Sequence, residues 1–319
     1  MRKSTKVKFN WKASDTCDYA WYSKDNGANW SDLPTNNIVS GLSPNTSYNF
    51  KLRVRRKDSQ LTTDSNKVTK STYNIATLTS PAANFSLNNE NSLACSISNP
   101  SGANVKYFLV LPDGTRRYTS ASTTATSYTW TVAQILALLQ YIPNANSSSI
   151  KVGVATLVGS TETYWNGRTG TLNVTNSNPT FSNFTYEDTN ATTIALTGNT
   201  QTIIKGYSNV KATVSTANKA VAKNYATMSK YRLVIGSSQV DVNYSANAAV
   251  NATINAVKNN IFTMYAIDSR GNSTPKQISP ASYIDYSAIA INKVEAVRAN
   301  GIGSVVNLIF NGTIWEGSF

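Results

Sequence analysis

The chain has 319 residues and a formal net charge of +13, with 14% charged residues, 40% hydrophobic residues and no histidine. That length suits two to four small modules better than one large core, and sparse charge with abundant Tyr, Asn, Ser, Thr and Gly is the composition of an extracellular or virion β-protein rather than a disordered chain. Without histidine the commonest general base and metal ligand are missing, together with every Ser-His or Cys-His pairing, which removes most hydrolase mechanisms.

The first nine residues carry basic groups with no apolar stretch behind them, so they do not read as a signal peptide. No run anywhere approaches the roughly 20 apolar residues of a membrane span. Val7, Phe9 and Trp11 then alternate with Lys6, Lys8, Asn10 and Lys12, which reads as the second strand of a sandwich whose first strand is missing. Cys17, Tyr19 and Trp21 alternate with Asp18, Ala20 and Tyr22, and the alternation favours the first three pointing inward. Pointing outward, they would form an aromatic-plus-basic surface suited to saccharides or anionic polymers.

Ser23-x-Asp25-x-Gly27-x-x-Trp30 resembles the hairpin called an Asp-box. Ser23 and Asp25 can bond turn amides, Gly27 supplies a positive φ and Trp30 covers the hairpin base, all of which is scaffolding and not catalysis. Leu42-Ser-Pro44-Asn-Thr46-Ser-Tyr48 follows, and then Phe50-Lys-Leu52-Arg-Val54 in strict alternation. A tyrosine there returns its hydroxyl to the backbone of the preceding corner, and Pro44 presets the turn. With Trp11 on an early strand and a last strand around residues 67–73, residues 1–75 resemble a fibronectin type III domain.

The basic balance concentrates in this first unit: residues 1–74 hold 13 basic and 6 acidic groups, a net of +7. Lys51, Arg53 and Arg55 share one strand face while Phe50, Leu52 and Val54 share the other, which predicts a solvent-side cationic ladder that Arg56 and Lys57 extend into the next turn. These five residues are the candidate polyanion contact, and the phosphate-rich teichoic acid or other polysaccharide of a Gram-positive wall is the candidate partner. A merely solvated face, or one that docks on an acidic neighbour in a particle, is the competing reading. Nucleic acid is set aside, because no exposed aromatic platform interleaves with the basic residues and no nucleic-acid-binding fold is recognisable.

A second unit, residues 76–176, opens after Ser80-Pro81 and shows strands near Ser92–Ile97, Lys106–Leu111, Tyr128–Trp130, Ile150–Leu157 and Thr171–Val174, with a hairpin at Asp113-Gly114. Thr131 and Gln134 form a capping box, Ile135, Leu136, Leu138 and Leu139 an apolar stripe, and Pro143 a stop, which predicts one short helix over 132–141 that plugs the sandwich end. A third unit, 177–287, opens on Asn178-Pro179 and includes alternating segments at Tyr231–Ile235 and at Phe262–Asp268, the latter running into a hairpin. Residues 288–319 start a fourth unit with strands at Ile289–Val294 and Val305–Phe310 and are expected to be cut within a domain.

Pro179-Thr-Phe181-Ser, Leu196-Thr-Gly198-Asn199, Lys205-Gly206-Tyr207-Ser208, Val297-Arg298-Ala, Leu308-x-Phe310-x-Gly312 and Trp315 together resemble a family of minor structural proteins of tailed phages that infect Gram-positive bacteria. The resemblance spans roughly 175–319. It implies a virion location, at the tail or its tip, with other virion proteins as partners and no catalytic residues to transfer.

The remaining chemistry is thin. A glycosidase needs two carboxylates about 5–10 Å apart across one sugar, yet Glu187 and Asp188 would point to opposite sheet faces and Asp25, Asp113 and Asp268 fall in turns. No Asp-x-Asp-x-Asp spacing marks a calcium loop. Cys17 and Cys95 sit in different units and read as buried free thiols. Asn84-Phe-Ser86 and Asn251-Ala-Thr253 are glycosylation triplets that composition alone produces. The expected fold is therefore all-β, tandem immunoglobulin-like and fibronectin type III-like sandwiches with one short helix. The expected function is a non-enzymatic, cofactor-free virion spacer, a homo-oligomer in the particle that touches the host surface. The alternatives are a receptor- or carbohydrate-binding module and a fragment of a bacterial surface adhesin.

Overall fold

The computed structural model describes residues 6–12, 16–43, 46–72, 75–298, 301 and 304–318. The chain is all-β, built of tandem sandwiches, and divides into two compact units, Met1–Leu138 with Ser147–Asn173, and Leu139–Asn146 with Val174–Phe319.

In the first unit, strands Ser31–Asp32, Cys17–Ser23, Ser47–Arg56 and Thr62–Asp64 form one sheet in that order, and Val68–Ser71 also pairs with Ser47–Arg56. Val7–Lys8 pairs with Ile38–Val39 in a separate two-stranded sheet. Val39, Leu42 and Phe50 are buried between them, with Val7, Phe9, Tyr22, Leu33 and Tyr48 packed around. The tyrosine corner is formed as expected: the Tyr48 hydroxyl accepts from the Ser43 amide at 2.8 Å. Thr72 locks the same corner, its hydroxyl donating to the Ser43 carbonyl at 2.6 Å and accepting from the Thr46 amide at 2.9 Å. Pro44, expected to preset this turn, and Tyr73, expected to end the last strand, lie outside the described residues.

Register corrects the expectation that Cys17, Tyr19 and Trp21 point inward together. Directly opposed residues of an antiparallel pair share a face, and Tyr19 opposes Arg55, Trp21 opposes Arg53 and Ser23 opposes Lys51, so these side chains stand on the outer face. A register shift between Cys17 and Tyr19 leaves Asp18 as the extra residue and sets Cys17 opposite Arg56 instead. Cys17 is thus half-buried while Cys95 is fully buried, which amends the reading of both as buried. Burial pushes the Cys95 thiol up to about 12.

The second sandwich pairs a three-stranded sheet, Ser127–Trp130, Leu93–Ser98 and Thr77–Ser80, with a five-stranded one, Arg116–Thr119, Val105–Val110, Ser147–Val158, Thr161–Asn173 and Phe85–Asn88. Tyr107, Leu109, Trp130, Ile150, Val152, Val154 and Leu172 are buried between the sheets. The strand expected only near its C-terminal end runs over 13 residues. Its last four residues pair in parallel with Phe85–Asn88, where a side chain on Gly170 would meet the Phe85 carbonyl. The expected helix is α-helical over Val132–Ala137 and tightens to 3-10 over Leu138–Tyr141. Its capping box is complete, with Thr131 Oγ1 accepting from the Gln134 amide and Gln134 Oε1 accepting from the Thr131 amide at 3.0 Å.

In the second unit a sheet of Thr185–Asp188, Val210–Val214 and Val250–Ile254 packs against one of Ser238–Asn243, Met228–Ile235, Phe262–Asp268 and Ser273–Ile278, with a parallel pair Thr202–Ile204 and Ser282–Ile284. Phe184, Tyr231, Leu233, Phe262 and Met264 centre the core. Arg270 is buried here and donates to the carbonyls of Asn224 at 2.7 Å, Ala145 at 3.0 Å and Ile142 at 3.2 Å. A second helix, Ala191–Thr197, corrects the expectation of one. Its Thr-rich sequence has low helix propensity. Asn190 caps its N-terminus, Gly198 ends it at φ +72°, and buried Asp188 holds its first turn by accepting from Asn190 N–H and Thr193 Oγ1. Ala290–Arg298 and Val306–Thr313 form a two-stranded hairpin whose Ile291, Val294, Leu308 and Phe310 are exposed. No helix among the described residues is long and apolar enough to cross a membrane.

Candidate polyanion-contact surface

The outer face of the N-terminal sheet carries the expected basic residues, but as neutralised pairs rather than an open ladder. Arg53 donates Nε and Nη2 to the two carboxylate oxygens of Asp64 at 2.6 and 3.0 Å, and its guanidinium lies 4.1 Å from the Trp30 ring centre. Arg55 grips Asp18 in the same two-pronged way at 3.1 and 2.8 Å and lies 5.4 Å from the Tyr19 ring. Hydrogen bonding from each arginine holds its partner carboxylate below the ordinary range. The Tyr19 and Trp21 rings lie beside each other on the same face, their centres 4.7 Å apart at a tilt of 35°. The bulge explains the arrangement: it turns Asp18, which strict alternation would bury with Ala20, toward Arg55.

Arg56 does not extend the ladder. It lies on the opposite strand face, where Cys17 opposes it, and pairs with Asp58 at 2.7 Å. Lys57 begins the turn, its amide donating to the Thr16 carbonyl at 2.7 Å. Lys51 stays on the outer face, its stem beside Gly27 of the Asp-box hairpin. That hairpin is built as its sequence implies: Ser23 Oγ donates to Asp25 at 2.6 Å and accepts from Gly27 N–H at 2.8 Å, and Asp25 accepts from Asn29 N–H at 2.9 Å.

Lys51 also lines a cleft of about 480 Å³ together with Lys6, Lys8, Phe9, Trp11 and Lys70. Its four lysines make no ion pair among the described residues, although the Lys51 charge helps to lower the Asp64 carboxylate. Sequence reasoning found the alternating lysines at 6 and 8 but not their convergence with Lys51 and Lys70, which lie on another sheet. Elsewhere, Glu187 pairs with Lys211 at 2.7 Å while Asp188 is buried, so the two carboxylates face apart as expected. Among the described residues no cluster of three or more His, Cys, Asp or Glu side chains could hold a metal ion.

Fold and surface together define a multi-sandwich all-β protein with a lysine-lined cleft. A family model described as "Siphovirus protein of unknown function (DUF859)" matches residues 91–314, and the chain belongs to that family. This bears out the resemblance to a structural protein family of tailed phages. No curated protein matches the chain in sequence. Similar solved structures include one from work on host cell surface retention of a 1.5-MDa bacterial ice-binding adhesin, at 14% identity over 86% of this chain and 89% of that one, with a TM-score of 0.27. Clostridium thermocellum CbhA fibronectin(III)-like modules match at 12% identity over 66% and 95%, TM-score 0.22. Chicken CNTN1 FN1-FN3 domains match at 10% over 89% and 96%, TM-score 0.25. The fold assignment rests on the sheets and the tyrosine corner of this chain.

Proposed function

We propose that the chain is a non-enzymatic, tail-associated spacer of a siphovirus particle, with modules at residues 1–75, 76–176, 177–287 and 288–319. Other virion proteins, including further copies of itself, are then its neighbours. The observation that carries this reading is the repetition of sandwiches within a siphovirus family chain that has no histidine and whose adjacent carboxylates Glu187 and Asp188 face apart. Immunogold labelling of purified virions with antibody to this chain tests it: gold along or at the end of the tail is expected, and gold on the capsid or no gold overturns it.

A second reading, that the N-terminal sandwich touches an anionic wall polymer, is favoured by the lysine cleft. Lys6, Lys8 and Lys70, which make no ion pair among the described residues, line the cleft with Phe9 and Trp11 and suit a phosphodiester chain, and many copies on one particle would add weak contacts into avid ones. The candidate contact set of Lys51, Arg53, Arg55, Arg56 and Lys57 then narrows to Lys51, joined by Lys6, Lys8 and Lys70. Binding of the chain to intact Gram-positive cells should fall with salt, fall on removal of teichoic acid, and fall in the triple variant Lys6→Ala, Lys8→Ala, Lys70→Ala. Binding that survives all three changes would exclude this surface.

A further inference from the structure

The outer face of the five-stranded sheet in the second sandwich is scooped and carries an aromatic platform. Phe108, Lys151, Gly167 and Thr169 all lie on it, because Phe108 opposes Gly153, Lys151 opposes Thr169 and Gly153 opposes Gly167. The two glycines remove side chains from its middle. A side chain on Gly153 would collide with the Phe108 ring, and one on Gly167 would meet the Lys151 stem. The hollow is about 750 Å³, within the range of small-ligand sites, which run to roughly 300–1,000 Å³.

Trp165 rises from this face with 67% of its surface exposed. An indole that open on a sheet face contributes little to folding. It is nevertheless held in place: Arg116 lies between the Phe108 ring at 4.3 Å and the Trp165 ring at 5.0 Å, and its Nη1 donates to Glu162 at 2.6 Å. Lys106 approaches the same carboxylate at 3.7 Å. Burial works to raise the Glu162 carboxyl, but hydrogen bonding and charge from Arg116 outweigh it and keep the group ionised. The rim adds Ser149, Lys151 and Thr169. Lys106, Arg116 and Lys151 against Glu162 leave the face net positive.

We infer that this face binds a pyranose glycan bearing acidic groups. The exposed indole offers a flat π-surface to the C–H face of a sugar ring, Ser149, Thr169 and Glu162 supply hydroxyl partners, and Lys151 meets the acid. The clamp on Trp165 presets the platform, so little ordering cost accompanies binding. This site is independent of the N-terminal lysine cleft and of the position of the chain on a particle.

The test is titration of the whole chain with oligogalacturonate, an acidic pyranose, and with poly(glycerol phosphate), an anion without a ring. Indole N–H resonances are followed, with that of Trp165 assigned from its loss in Trp165→Ala. A saturable shift of the Trp165 resonance with oligogalacturonate is expected, and affinity by calorimetry should drop about tenfold in Trp165→Ala. Lys151→Ala should weaken binding at low salt, and the triple lysine variant of the cleft should leave it unchanged. No shift in the millimolar range, an equal shift with poly(glycerol phosphate), or undiminished binding by Trp165→Ala overturns the inference. Because Trp165 is so exposed, loss of binding in its alanine variant with an unchanged spectrum elsewhere reads as loss of contact and not of fold.

Discussion

Asp25 shows how much of the N-terminal surface is held by single hydrogen bonds. Bonds from Ser23 first and then Asn29 lower its carboxyl from 3.8 to about 2. A depressed carboxylate stabilises the folded state above its unfolded value and loses that contribution as pH falls through its folded value. Asp25→Ala should therefore melt below wild type at pH 7, and the gap should close between about pH 4 and pH 2, as followed by thermal denaturation across that range. At this scale the hairpin was legible in full, because Ser23, Asp25 and Gly27 interact with residues two and four positions away. The fate of the arginines was not. Their partners Asp18 and Asp64 lie 37 and 11 residues away from Arg55 and Arg53, and one of them faces the right way only because of a bulge that no alternation pattern reveals.

Elements separate into those written locally and those that depend on partners. The first helix was readable from Thr131, Gln134 and its apolar stripe, whereas the second was hidden by its threonines despite Asn190 and Gly198 at its ends. The parallel pairing of Phe85–Asn88 was invisible for a different reason: parallel strands join segments far apart in sequence, here separated by 85 residues in register. Its requirement is a glycine. Gly170→Ala would press a methyl group on the Phe85 carbonyl and ring, so it should cost about 1–3 kcal/mol by denaturant unfolding, the usual range for overpacking. A cost near zero would mean that the edge strand yields instead of the new side chain.

Over the whole molecule, protection should be uneven. Phe262–Asp268 is buried along most of its length and pairs on both sides, while among the described residues Ala290–Arg298 and Val306–Thr313 pair only with each other and are almost wholly exposed. Hydrogen exchange should therefore be slow in the first strand and fast in the hairpin, and equal rates would show the hairpin to be covered in solution. The sandwich architecture was legible from alternation and the tyrosine corner, since those patterns follow from one strand and one turn. The lysine cleft and the Trp165 face were not, because each gathers residues from several strands. The absence of histidine has a further effect at this scale. No side-chain type in the chain ordinarily titrates between about pH 5 and 8. Between about pH 5 and 8 the side chains therefore present the same electrostatic surface: within that window ionic strength is the dial that regulates its charged contacts.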